Sequence, residues 1–306
     1  MAAAYLALAA RGELEARAER AAARMRACDL CPRLCRVDRQ AGEFGFCATG
    51  RHPLLSSAGP HSGEESCLSG THGSGTIFVT GCNLGCSFCQ NHEISRERIG
   101  REVTADEWAA AMLALQDRGC HNINIVTPSH VVPALLEALA LAARKGLRLP
   151  LVYNSGAYDR VATLELLEGV VDIYMPDFKF WDRGVAQRYT GARDYPERAR
   201  EALREMHRQV GDLQCDAEGL AERGLLVRHL VLPEGFAGTA AVSRFLAEEL
   251  SPETFVNIMD QYRPAGRVPR GDPLDRPVTR QEYEAALQSA RASGLHRFDP
   301  RPTPRG

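Results

Sequence analysis

The chain has 306 residues, long enough for one elaborated α/β domain with an appendage, and its 44% hydrophobic and 25% charged content places it among folded globular proteins. A net charge of −2 at pH 7 gives no electrostatic case for nucleic acid or an anionic membrane as an obligatory partner. No stretch is long enough to span a bilayer, and the apolar opening over residues 1–10 has no basic residue ahead of it, as a secretory signal would. The ten cysteines are tightly clustered, so the expected setting is a reducing cytoplasm in which they ligate metal.

Residues 1–27 are rich in Ala, Arg, Leu and Glu and predict one N-terminal helix with a charged face. Residues 28–74 predict a cysteine-rich metal-binding extension and linker. Cys28 to about Gly50 reads as a metal-organised knuckle, and Arg51–Ser74, full of Gly, Ser, His and Pro, as irregular chain draped over the remainder. Over 75–295 short β-rich runs alternate with helix-length amphipathic segments. The expected strands are Thr76–Thr80, Ile123–Val126, Leu151–Tyr153, Asp172–Met175, Val227–Leu232 and Phe255–Met259. Thr104-Ala105-Asp106-Glu107 is a capping box that opens one helix, and Gly119 closes it. Further helices are expected over Val131–Lys145, Val161–Leu167, parts of Pro196–Val210, Val242–Glu249 and Arg280–Ala292. Six βα units in succession predict a parallel sheet curled into a partial (β/α)6 barrel. The tail 296–306, with three prolines, is expected to be disordered.

Chemistry in parallel barrels and open α/β sheets sits at the C-terminal strand ends, and the expected strands run into polar residues there. Thr127, Asn154, Asp177 with Lys179, Glu234, and Asp260-Gln261-Tyr262 follow the second to sixth strands. The first leads into Cys82, Cys86 and Cys89, three cysteines in eight residues. A four-iron cubane needs four ligands and is normally held by four thiolates, so three leave one iron open for substrate or cofactor. The bland alternative is a zinc knuckle completed by a remote residue such as His92. Cys28, Cys31, Cys35 and Cys47 form a separate C-x2-C-x3-C-x11-C set; four thiolates make a closed site, either structural zinc or an auxiliary iron–sulfur cluster. Cys67, Cys120 and Cys215 are isolated and read as buried small hydrophobes or surface thiols. His61, Glu64, Glu65 and His72 lie in the segment before the cysteine loop, where a solvated loop is the default and substrate contact the sharper reading.

The C-x3-C-x2-C loop, with Phe88 just before the third cysteine, resembles the hallmark of the radical S-adenosylmethionine (SAM) superfamily. The likeness extends to Cys28-Asp29-Leu30-Cys31-Pro32-Arg33-Leu34-Cys35, Gly42-Glu43-Phe44-Gly45-Phe46-Cys47, the run Ser69–Phe78, and Asp172–Lys179. It is similar to the branch related to pyruvate formate-lyase activating enzymes. The resemblance implies a [4Fe-4S] cluster on Cys82, Cys86 and Cys89 whose open iron is chelated by SAM, with Phe88 near the adenine. Thr127, Asn154, Asp177 and Lys179 are its expected cofactor-binding residues. The Gly-Gly-Glu turn common after the second strand is replaced by Ile125-Val126-Thr127-Pro128-Ser129.

The implied reaction is reductive cleavage of SAM to a 5′-deoxyadenosyl radical that abstracts hydrogen from a protein or peptide, a glycine Cα included, with flavodoxin or ferredoxin as the reducing partner. The alternatives are the same chemistry on a small metabolite, or a non-catalytic zinc or iron–sulfur scaffold.

Overall fold

The computed structural model describes residues 2–300. The chain opens with α1 (Tyr5–Ala10), α2 (Glu13–Ala23) and a 3-10 turn over Arg24–Ala27. The single helix expected over 1–27 is therefore broken. Gly12 takes a left-handed conformation, φ 71°, which glycine adopts without steric cost. The break docks α1 beneath the sheet, where Tyr5 Oη donates to Leu149 O and Ala4 N to Asp172 Oδ1.

Residues 28–50 contain no helix or strand, as a knuckle organised by cysteines should. The next segment departs from its expected irregularity: β1 (Leu54–His61) is a strand and α3 (Ser66–Ser69) a helical turn. Strand β1 pairs antiparallel with β2 (Ser74–Val79), so a neighbouring strand outweighs the Gly and Pro content. Pro60 is tolerated because β1 lies toward the edge of the sheet, where a missing N–H breaks no ladder.

The remaining elements are α4 (His92–Arg96), β3 (Arg101–Glu102), α5 (Ala105–Asp117), β4 (Ile123–Val126), α6 (Val132–Arg144) and β5 (Leu151–Ser155). They continue through α7 (Val161–Leu164), β6 (Ile173–Pro176), α8 (Arg183–Thr190), α9 (Tyr195–Val210), β7 (Gln214–Cys215), β8 (Ala221–Leu230), α10 (Thr239–Phe245), β9 (Phe255–Met259) and α11 (Arg280–Ala292). The expected capping box is present at Thr104 and Glu107, and a second forms at Thr279 and Glu282.

Strands β2, β4, β5, β6, β8 and β9 pair in that order, all parallel. Strands β3 and β1 extend one side antiparallel, and the sheet does not close on itself. Parallel strands covered on both faces need near-continuous apolar runs; Ile123, Ile125, Leu151, Tyr153, Ile173 and Tyr174 are fully buried. The start of the expected disordered tail is docked: Phe298 bridges Val256, and Arg297 donates to Leu213 O at 2.7 Å. Residues 301–306 lie outside the described residues. Among the described residues no helix is long and apolar enough to cross a membrane.

Candidate active site

Because the six strands run in one direction, their C-terminal ends converge on one rim. The loop after β2 carries Cys82, Cys86 and Cys89 and is gripped from several sides. Arg33 donates to Asn83 O and Leu84 O, both at 2.9 Å, and to Thr190 O and Gly191 O at the C-terminal end of α8. Asn83 Nδ2 donates to Tyr158 O at 2.6 Å, Ser87 N to Tyr189 O at 2.8 Å and Arg267 N to Ser87 O at 2.6 Å.

All three cysteines are free thiols lining a cavity of about 550 Å³. The residues expected to bind the cofactor, Phe88, Thr127, Asn154, Asp177 and Lys179, line the same cavity. Phe88 is buried and meets Phe180, Tyr189 and Tyr262 edge-on, which fixes one wall of the pocket. Thr127 holds φ 63°, left-handed for a β-branched residue, with its N–H on Asn154 O at 2.8 Å. Such backbone costs about 1–3 kcal/mol and clusters at functional sites.

Lys179 Nζ stands 2.6 Å from Asp177 Oδ2. Burial works against the ammonium charge, but Asp177 and the Cys86 sulfur outweigh it and hold the Lys179 pKa above its ordinary value. Burial pushes the Cys86 thiol up to about 12, with Lys179 pulling the other way, and raises Cys82 as well. Bare thiolates are therefore costly here, whereas a bound iron cluster compensates their charge. Leu84 N reaches Cys82 Sγ at 3.3 Å and Ser95 Oγ reaches Cys89 Sγ at 3.4 Å, the kind of outer donor that tunes sulfur ligands.

The donor set fits a polynuclear cluster better than zinc. Three sulfurs on one large lumen leave a ligand position open, as a cluster that takes a bound molecule at its fourth site requires. His92, the remote residue a zinc knuckle would need, faces Glu97 at 3.7 Å and does not line the cavity. Gln261 does line it, with a buried Oε1 that has no hydrogen-bond partner, an acceptor left for a bound molecule.

The far wall holds residues that motif reading missed. Arg228 of β8 forms ion pairs with Glu64 and with Glu65, donating to the latter at 2.8 and 2.6 Å, and Asn257 of β9 donates to Glu65 at 2.7 Å. Burial opposes both charges, yet Glu65 and Glu64 hold Arg228 well above its ordinary pKa, while Arg228 holds Glu65 below the usual carboxylate range. Residues 61–65 thus reach across to β8 and β9. Arg228 and Asn257 are register partners, and two facing polar residues inside apolar parallel strands are the sequence signal that marks them.

Several expected rim residues are elsewhere. Glu234 is exposed, with its N–H on Glu282. Tyr262 Oη donates to Leu274 O, and His72, of the segment before the cysteine loop, packs at a tilt against His121; neither lines the cavity. The four N-terminal cysteines line a separate cavity of about 10 Å³.

The sequence profile of the radical SAM superfamily matches residues 76–213. An uncharacterized protein of Methanocaldococcus jannaschii is 30% identical over 276 residues, covering 88% of this chain and 75% of its own length. The crystal structure of a radical SAM methyltransferase from Sphaerobacter thermophilus superposes with a TM-score of 0.49 at 19% identity over 73% of this chain, which spans 66% of that one.

Proposed function

This chain belongs to the radical SAM superfamily, whose enzymes use a [4Fe-4S] cluster and SAM, and we propose that it places both in the 550 Å³ cavity to abstract hydrogen from a protein or peptide segment. When bound, the cluster would supply the electron for reductive cleavage of SAM, with flavodoxin or ferredoxin as donor, and with it the capacity for hydrogen abstraction. The chain's own residues do the rest. Cys82, Cys86 and Cys89 would hold the cluster. Lys179, kept charged by Asp177, would receive the SAM carboxylate; Asn154 would hydrogen-bond carboxylate or ribose; the Thr127 turn would accept from the SAM amino group through its backbone; Phe88 would pack near the adenine.

The observation that carries this reading is the convergence of three unpaired thiols and the Asp177–Lys179 pair on one cavity. A peptide substrate is supported by β1, whose last residue, His61, lines that cavity. Beyond Leu55 its outer edge pairs with no strand among the described residues, and such an edge can receive an extended chain. A small metabolite is the second reading, favoured by the Arg228–Glu64–Glu65 wall and by a volume within the small-molecule range of about 300–1,000 Å³.

The test is anaerobic. After reconstitution with iron and sulfide, reductant and SAM are added and 5′-deoxyadenosine is measured, alone and with a peptide library or a metabolite pool. No 5′-deoxyadenosine from a fully loaded cluster under any condition overturns the activity. Stimulation by metabolites and not by peptides replaces the first substrate class with the second.

A further inference from the structure

The fold brings together Cys67 and Cys215, two free thiols far apart in the chain that the proposed reaction does not use. Cys67 lies in α3, is buried, and packs in one cluster with Leu68, Leu213 and Ala221. Leu213 and Ala221 flank Cys215, which pairs with Ala221 across the β7–β8 hairpin. The end of α3 closes on the hairpin turn: a Cβ on Gly70 would lie 2.6 Å from Leu220 Cδ2. That turn is fixed by Asp216 Oδ1, which accepts from Glu218 N and Leu220 N at 3.0 and 2.8 Å. The C-terminal segment binds both elements. Ser66 Oγ of α3 donates to Asp299 Oδ1 at 3.2 Å, and Arg297 donates to Leu213 O at 2.7 Å.

The two sulfurs are in hydrogen-bond contact, and the contact is asymmetric. Cys67 donates to Cys215, and this bond, with burial, holds the Cys67 thiol protonated well above its ordinary range. Cys215 is exposed. The bond from Cys67 and the Arg297 guanidinium outweigh partial burial and Asp216, and bring its pKa down to about 7. The thiolate is the nucleophile, and oxidant-reactive cysteines combine a low pKa, access to solvent and a second thiol beside them. Cys120 shows the opposite setting: it is buried, and burial raises its pKa.

We infer that Cys215 and Cys67 form a dithiol that hydrogen peroxide converts to a disulfide, with Cys215 as the attacking sulfur and Cys67 as the resolving one. The Cys215 thiolate attacks one peroxide oxygen, the O–O bond breaks, hydroxide leaves and the sulfur becomes a sulfenic acid. The Cys67 sulfur then attacks the Cys215 sulfur. An S–S bond forms, and the hydroxyl group departs with the Cys67 proton as water. The two sulfurs together give up two electrons, and the peroxide takes them. The new bond ties α3 to β7 just beyond Glu65, whose carboxylate pairs with Arg228 on the cavity wall.

The test uses the reconstituted full chain. It is treated with equimolar hydrogen peroxide, alkylated, digested without reduction and mapped by mass spectrometry, with and without dimedone to trap sulfenic acid. Wild type should yield a peptide linked through Cys67 and Cys215 that dithiothreitol separates, and Cys215 should lose its thiol at least about tenfold faster than Cys120. Cys67→Ala should carry a dimedone adduct at Cys215, because its sulfenic acid has lost the resolving thiol. Cys215→Ser should leave Cys67 a thiol. Free thiols at both positions, a link from Cys215 to another cysteine, or a wild-type sulfenic acid that persists without the link overturns the inference. The wild-type map stands even where Cys67→Ala fails to fold. None of these readouts involves turnover, so they hold or fail separately from the proposed reaction.

Discussion

The cysteine loop after β2 and the cysteine segment 28–50 both present free thiols to a cavity, yet they are built differently. The first hangs from the end of a buried parallel strand, offers three sulfurs, and faces a 550 Å³ space that also holds Asn154, Asp177 and Lys179. The second has no strand or helix of its own, offers four sulfurs, and encloses about 10 Å³. As metal ligands, three thiolates beside a large polar space would leave a position open for chemistry, whereas four in a tight fold of chain would close the site.

The contrast is broken most severely by Cys86→Ala. A cluster left with two protein ligands is labile, so 5′-deoxyadenosine formation should fall to background. Retained turnover, measured by chromatography, would reject the loop as the catalytic site. Lys179→Met removes the charge facing the SAM carboxylate and should weaken SAM binding roughly 10–100-fold, read by calorimetry on the reconstituted protein; an unchanged affinity would place the carboxylate elsewhere.

Arg33→Lys tests the joint between the two regions. A lysine cannot span the four carbonyls that Arg33 reaches. Stability in urea should drop by about 1–2 kcal/mol, and the reconstituted catalytic loop should lose iron faster to a chelator. An unchanged rate of iron loss would show that the loop does not depend on Arg33.

The smallest effect concerns His229 of β8, away from both cysteine sets and held between Phe178 O and Thr239 Oγ1. Burial lowers its pKa to about 4, against about 6.5 in the unfolded chain. The stability from keeping it neutral is present above pH 6.5 and is lost as pH falls toward 4. Its share is about 1 kcal/mol between pH 7 and pH 5.5. His229→Gln should flatten that part of the profile in denaturant titrations; an unchanged slope would assign the loss to other groups.

Much of this arrangement was legible in the chain. Strands Ile123–Val126 and Phe255–Met259 and helix Arg280–Ala292 form over the expected residues, because apolar periodicity and caps are local signals. The strand containing Arg228 begins earlier than expected, at Ala221, and α8 was not anticipated: Arg183–Thr190 is short and mostly polar, and its helix is capped by Asp182, which accepts from Val185 N. Strand β1 was hidden by Gly59, Pro60 and polar neighbours, since pairing with β2 is a non-local event that composition does not report.

By itself the sequence determined the number and spacing of the cysteines in both sets, the parallel order of βα units, and the rim to which Thr127, Asn154, Asp177 and Lys179 belong. Those follow from covalent spacing and strand direction. Only the tertiary structure decided that Glu64 and Glu65 cross to meet Arg228 and Asn257, that Glu234 and His72 turn away, and that Cys47 O lies against Gly81. Each of these joins residues far apart in the chain, and burial and charge pairing choose such partners only once the whole sheet has assembled.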